Sequence, residues 1–142
     1  MQIKDHVFIV TGASSGIGLS TAMALTDRGA RVALLARSGD ALQKVSQQLP
    51  GSLPVPADMT KFDRVREAVR AVYQNYGRID GLVNNAGRSY AASIEEIEPE
   101  IFDEIFHLNV LGPIIAIQAS RTGRIRARRS ASSGVSARRQ AS

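Results

Sequence analysis

The sequence predicts an α/β protein whose core is a doubly wound parallel sheet. Three observations carry that prediction. Short apolar runs alternate with amphipathic helical stretches over the first 120 residues, the first run opens directly into a glycine-rich turn, and the spacing suits right-handed crossovers between parallel strands. With 142 residues, 44% of them hydrophobic, the chain can bury a core of ordinary size, and nothing in it asks for a second domain.

Val7-Phe8-Ile9-Val10 is the first buried strand, and Thr11-Gly12-Ala13-Ser14-Ser15-Gly16-Ile17-Gly18 leads from it into a helix carrying Ile17, Ala22 and Leu25 on one stripe. Gly29, in Arg28-Gly29-Ala30, closes that helix. Val32-Ala33-Leu34-Leu35-Ala36 is the second strand. Ser38 then caps a helix that turns Leu42, Val45 and Leu49 inward and stops at Pro50-Gly51. The prolines of Leu53-Pro54-Val55-Pro56-Ala57 restrict this third strand to a sheet edge. Thr60 is expected to cap the longer helix with Phe62, Val65, Val69, Val72 and Tyr73 on one face, which ends at Tyr76-Gly77. Ile79-Asp80-Gly81-Leu82-Val83 is the fourth strand, so the expected order is 3-2-1-4 with a crevice where the order reverses, between strands 1 and 4. Two helical stretches follow, Pro99 to Val110 and Leu111 to Ala119, broken or kinked near Gly112-Pro113.

The glycine turn points to function. Gly12 allows a sharp exit from the strand, Gly16 allows backbone to approach a phosphate, and Gly18 allows the new helix to pack closely. The unpaired N–H groups at the helix start, with the positive end of its dipole, favour a bound pyrophosphate, and Ser14 and Ser15 add hydroxyl donors. Many strand-to-helix turns carry glycines and bind nothing, so the spacing Gly-x-x-x-Gly-x-Gly gains its weight from the strand before it and the helix after it.

Charge divides the chain. Residues 121–142 hold seven arginines and no acid, while the first 120 residues carry 11 basic and 13 acidic groups, so the formal charge of +5 belongs to a basic tail. That Arg/Ser-rich tail has only Ile125 and Val135 as large apolar groups, and it is expected to stay disordered or loosely docked. The expected domain is therefore residues 1–120. The absence of cysteine excludes a disulfide framework and thiolate metal sites, and two isolated histidines, His6 and His107, do not make a metal constellation. No apolar run approaches the ~18 residues of a membrane span and no signal-peptide pattern opens the chain, which leads to the expectation of a cytoplasmic protein.

Three groups of residues, Thr11-Gly12-x-x-x-Gly16-x-Gly18, Asp58-Met59-Thr60 and Gly77-Arg78-Ile79-Asp80-Gly81-Leu82-Val83-Asn84-Asn85-Ala86-Gly87, together with Leu108-Asn109-Val110-Leu111-Gly112, closely resemble the short-chain dehydrogenase/reductase family over roughly residues 1–119. The resemblance implies a Rossmann-like domain that holds a nicotinamide cofactor through Gly12, Ser14, Ser15, Gly16, Ile17, Gly18, Arg37, Asp58, Met59, Asn85, Ala86 and Gly87. It implies hydride transfer between that cofactor and a small-molecule carbonyl or alcohol, and subunits that pair through the helix near Asn109 and the one after it. Arg37 follows the second strand where no acid is available for a ribose diol, so NADP(H) is expected over NAD(H), unless the guanidinium is only a solvated loop residue. Asp58 either accepts from the adenine amino group, beside Met59, or caps a helix; Asn85 either serves the cofactor or only ties strands together.

One departure bears on activity. The family's proton donor is a tyrosine with a lysine four residues later, and after Asn109, the counterpart of the family's proton-relay asparagine, this sequence has neither. Its tyrosines are Tyr73, Tyr76 and Tyr90, its last lysine is Lys61, and Ser133 is only a faint counterpart of the family's catalytic serine. The expectation is a truncated or frameshifted chain, incomplete in the C-terminal half of the fold, that binds cofactor without turnover. The alternatives are a non-enzymatic NADP-binding or sensing module and a nucleic-acid-binding protein acting through the basic tail.

Overall fold

The structure is a computed structural model and describes residues 2–122. Residues 123–142, which hold six of the seven tail arginines and Ser133, lie outside the described residues, while Arg121 and Thr122, the first two residues of the tail, are described and helical. Four strands, β1 (Val7–Thr11), β2 (Arg31–Ala36), β3 (Leu53–Pro56) and β4 (Gly81–Val83), form one parallel sheet in the order β3-β2-β1-β4. Helices α1 (Gly16–Thr26), α2 (Gly39–Gln48) and α3 (Phe62–Tyr76) are the crossovers. After β4 comes a single 3₁₀ turn (Ile94–Glu96), then α4 (Pro99–Phe106), a π-helical turn (His107–Leu111) and α5 (112–122).

Strand periodicity decides which layer each side chain joins. Val7 and Ile9 of β1 share a cluster with Ala33 and Leu35 of β2 and with Ala68, Val69 and Val72 of α3. Val10, Val32 and Leu34 point the other way, into a cluster with Ala22 of α1 and Leu42, Val45 and Leu49 around α2. Both faces of the sheet are therefore covered, which is why β1 and β2 read as continuous apolar runs. The prolines of β3 are tolerated because that strand pairs only with β2, Pro54 opposite Leu34 and Pro56 opposite Ala36.

Ser38 and Gly29 make the helix ends expected of them, and Thr60 does not. Ser38 caps α2 by accepting the Ala41 N–H at 3.2 Å. After α1, the Ala30 N–H reaches the Leu25 carbonyl and the Gly29 N–H the Thr26 carbonyl, the paired bonds of a Schellman stop. The expected Thr60 cap is not made. The N-cap of α3 is Lys61, without a side-chain bond, and the Thr60 hydroxyl instead donates to Asp58 Oδ1 at 2.7 Å. Thr60 stands one residue before the N-cap, and its hydroxyl closes the local turn by donating to the Asp58 carboxylate.

The break expected at Gly112-Pro113 appears one turn earlier, as the π turn ending at Leu111. Pro113 has no N–H to return to residue 109, and the wider turn absorbs the missing bond, the Gly112 N–H going to the His107 carbonyl. Among the described residues no helix is long and apolar enough to cross a membrane.

The β1–β4 seam, which underlies the crevice, is fastened at both ends. At the start of the strands the Val7 N–H donates to Asp80 Oδ2 at 2.8 Å and the Asp80 N–H to the Val7 carbonyl at 2.8 Å. Arg78 adds two bonds to the same carboxylate, 2.8 and 2.7 Å. Strand β4 is consequently shorter than the expected Ile79-to-Val83 run, because Asp80 is spent on this clasp. Burial pushes the Asp80 carboxyl up, but the Arg78 bonds, the Val7 N–H and the charges of Arg78 and His6 outweigh it and hold the carboxyl below its ordinary value. At the other end the Thr11 hydroxyl, 1% exposed with its residue, accepts the N–H groups of Asn85 and Ala86, each at 3.0 Å.

Two outcomes follow from this seam. Because Asp80 is depressed in the folded state, its contribution is complete above the unfolded carboxyl pKa and is lost as pH falls through the folded value; urea melts of the native chain and Asp80→Asn should differ most at neutral pH and converge below about pH 4. Thr11→Val keeps the shape but strands two amides, at about 1–3 kcal/mol each, so its denaturation midpoint should fall well below that of Thr21→Val, whose hydroxyl bonds only the Ile17 carbonyl of its own exposed helix turn.

Candidate functional site

At the carboxyl edge of the sheet a cleft of about 710 Å³ runs from the end of β2 across the β1 turn to the loop after β4. This is the reversal point of the strand order, with β2 on one side of β1 and β4 on the other. Its volume is that of a small-molecule or cofactor pocket.

The centre is main chain. Gly12 has φ +66° and Gly16 φ +57°, conformations that a side chain resists. Gly18 is needed for contact: a Cβ there would lie 2.2 Å from the Gly12 carbonyl oxygen, so α1 can start against the turn only with glycine. A Cβ on Gly16 would meet nothing within 4 Å. Ser15 occupies the N-cap of α1 with extended backbone and no side-chain bond. Among the described residues its hydroxyl and the first N–H groups of α1 have no hydrogen-bond partner, an arrangement that suits a pyrophosphate.

At the β2 end, Arg37, Ser38 and Asp58 line the cleft. Among the described residues no hydrogen bond or ion pair holds the Arg37 guanidinium. Asp58 accepts both the Thr60 N–H, at 2.9 Å, and the Thr60 hydroxyl. Burial raises its carboxyl, but those two bonds and the charges of Arg37 and Lys61 bring it below the ordinary value, so it is an acceptor at neutral pH. Met59 is buried beside it, 3% exposed, in a cluster with Val65 and Ala116.

At the β4 end, Asn85, Ala86 and Gly87 line the cleft beside Arg88, Glu104 and Leu108. Asn85 does tie strands: its Nδ2 donates to the Gly12 carbonyl at 3.3 Å. Asn109 lies behind this wall. Its Oδ1 accepts the Arg88 N–H at 3.0 Å and its Nδ2 donates to the Arg88 carbonyl at 2.8 Å, a two-point clasp on the loop's backbone.

The structure thus gathers Gly12, Ser14, Ser15, Arg37, Asp58, Met59, Asn85, Ala86 and Gly87 around one space. Gly18 acts from beneath, through packing. Gly16 and Ile17 line a second, more open groove of about 820 Å³ along the outer side of α1, where Ile17 is 78% exposed. Ligands of open parallel sheets bind at the strand ends, which is where the first cleft lies. Sequence reasoning missed Arg88, Glu104 and Leu108. Arg88 directly follows the Asn-Asn-Ala-Gly run and could have been found there, whereas Glu104 and Leu108 are brought in by the packing of α4 and the π turn.

The model of the short chain dehydrogenase family matches residues 6–130. An uncharacterized oxidoreductase of Staphylococcus epidermidis is 36% identical over 121 residues, 84% of this chain and 52% of the relative. L-sorbose reductase from Gluconobacter frateurii, solved with NADPH and L-sorbose, superposes with TM-score 0.79 at 30% identity over 87% of this chain and 49% of that one. A 3-ketoacyl-(acyl-carrier-protein) reductase from Brucella melitensis, solved with NADH, gives 0.78 at 34% identity over 82% and 48%. The chain spans about half the length of the curated relatives it matches. A parallel sheet in the order 3-2-1-4, a main-chain cradle at its reversal point and a family match over most of the sequence place this chain in the short-chain dehydrogenase/reductase family of oxidoreductases.

Proposed function

We propose that the cleft binds NADP(H) in preference to NAD(H). The single observation that carries this reading is Arg37, a guanidinium at the β2 end of the cleft with no described bond to another residue and no acid at the strand end to grip a ribose diol. The cofactor's 2′-phosphate would lie against Arg37, its adenine against Asp58 and Met59, its pyrophosphate against Gly12, Ser14, Ser15 and the start of α1, and its nicotinamide half toward Asn85, Ala86 and Gly87. The related structures hold NADPH in one case and NADH in the other, so the choice rests on this chain's own arginine.

When bound, the nicotinamide supplies or accepts hydride, and in the whole protein the reaction would interconvert a small carbonyl and its alcohol. The part of these residues in that reaction is binding and orientation. The Asn109 clasp on Arg88 holds the loop that carries Gly87, and a Cβ on Gly87 would press on Asn109 Oδ1 at 3.1 Å. Proton transfer needs a hydroxyl or ammonium near the reacting oxygen, and within this sequence no tyrosine or lysine follows Asn109. The 142 residues alone therefore act as a cofactor-binding unit. An apolar stripe of Phe102, Phe106, Val110, Ile114 and Ile117, each 39–56% exposed on α4, the π turn and α5, supports self-association through that face.

Calorimetric titration of the chain should show NADPH binding more tightly than NADH. Arg37→Gln should weaken NADPH by about tenfold or more while leaving NADH nearly unchanged, since a charge-assisted bond to phosphate is lost and no bond to a diol. Equal loss for both coenzymes, or none for either, contradicts the assignment. In a steady-state assay with NADPH and a panel of aldehydes and ketones, oxidation should stay at background; turnover by the purified 142 residues refutes the binding-only reading.

A further inference from the structure

The cleft has a second cation, at the end opposite Arg37. Arg88 lines the β4 side together with Glu104, and its Nη1 lies 3.7 Å from Glu104 Oε1. Both side chains are about half exposed, and at that separation the pair is a loose one that water and salt weaken further. The backbone beneath it is different. Asn109 grips the Arg88 N–H and carbonyl together, at 3.0 and 2.8 Å, so the base of the side chain is held while most of the guanidinium's five donors have no described partner. A planar fork on a fixed backbone, lightly restrained by one displaceable carboxylate, is preorganised for a bidentate anion.

From this geometry we infer that Arg88 is the recognition residue for a negatively charged substituent, a carboxylate or phosphate, on the small molecule that meets the cofactor at the β4 end of the cleft. The inference rests on the NADP(H) reading, which assigns the 2′-phosphate to Arg37 and the pyrophosphate to the Gly12–Gly16 turn and so leaves Arg88 without a coenzyme anion to bind. Glu104 acts as its internal competitor. It pairs loosely with the guanidinium when no ligand is bound and opposes the incoming anion, which sets a preference for ligands able to make two bonds at once.

The experiment has two steps on the full chain. NADPH is first titrated into the native chain, Arg88→Gln and Glu104→Gln. Malonate, inorganic phosphate and acetone are then titrated separately into each NADPH-saturated protein, followed by calorimetry and by the coenzyme's fluorescence. The expected result is that all three proteins take up NADPH alike. Malonate or phosphate then binds the saturated native chain, about tenfold or more weaker with Arg88→Gln and tighter with Glu104→Gln, while acetone does not distinguish the three. Whichever of malonate and phosphate binds more tightly identifies the substituent. Anion binding that is absent, or unchanged by Arg88→Gln, overturns the inference while leaving the coenzyme reading intact. Loss of NADPH affinity in Arg88→Gln overturns it as well, by assigning Arg88 to the coenzyme. Failure of the native chain to bind NADPH overturns the coenzyme reading and this inference with it.

Discussion

One buried hydroxyl constrains the rest of this molecule. Thr11 ends β1 at the point where the chain must leave the sheet, and its oxygen accepts two amides from the loop after β4. A phosphate cradle made of main chain works only if the turn has a fixed shape, and a glycine-rich turn has little rigidity of its own. Rigidity is imported from β4 through Thr11, with Asn85 adding a bond to the Gly12 carbonyl. The two walls of the cleft, though more than 70 residues apart in sequence, are thereby one piece.

The cleft divides its labour by chemistry. Its middle presents backbone N–H groups and a helix start, which on the proposed reading would meet the pyrophosphate without a side chain that could be mispositioned. Its ends use side chains: Arg37 and Asp58 at the β2 side, Arg88 and Glu104 at the β4 side. Each end carries a cation and a carboxylate, yet the two carboxylates are held differently. Asp58 is engaged by the Thr60 N–H and hydroxyl, whereas among the described residues Glu104 has only the long contact to Arg88.

Much of the fold was legible because it follows from local rules. Parallel strands buried on both faces read as apolar runs, Ser38 and Gly29 act within a few residues of themselves, and the prolines of β3 announce an edge. Misreadings arose at element boundaries. Thr60 falls one residue short of the N-cap and donates to Asp58, and Asp80 takes the Val7 N–H and Arg78 in place of extending β4. The π turn was invisible as such: Pro113 announces an unmade bond, but where the helix widens to absorb it depends on what packs around it. Gly112 presses so close to the Met59 carbonyl that a Cβ would sit 2.6 Å from its oxygen.

By itself the sequence determined the parallel sheet, its order, the glycine cradle and the placement of Arg37, since each depends on periodicity or on neighbours in the chain. Only the tertiary structure decided that Thr11 fastens the cradle to β4, that Asn109 acts on the backbone of Arg88, and that Arg88 and Glu104 face the cleft. Those contacts join residues 16 to 75 positions apart. No local propensity encodes such pairs, because they form only when helices packed on a completed sheet bring distant backbone and side chains within hydrogen-bonding reach.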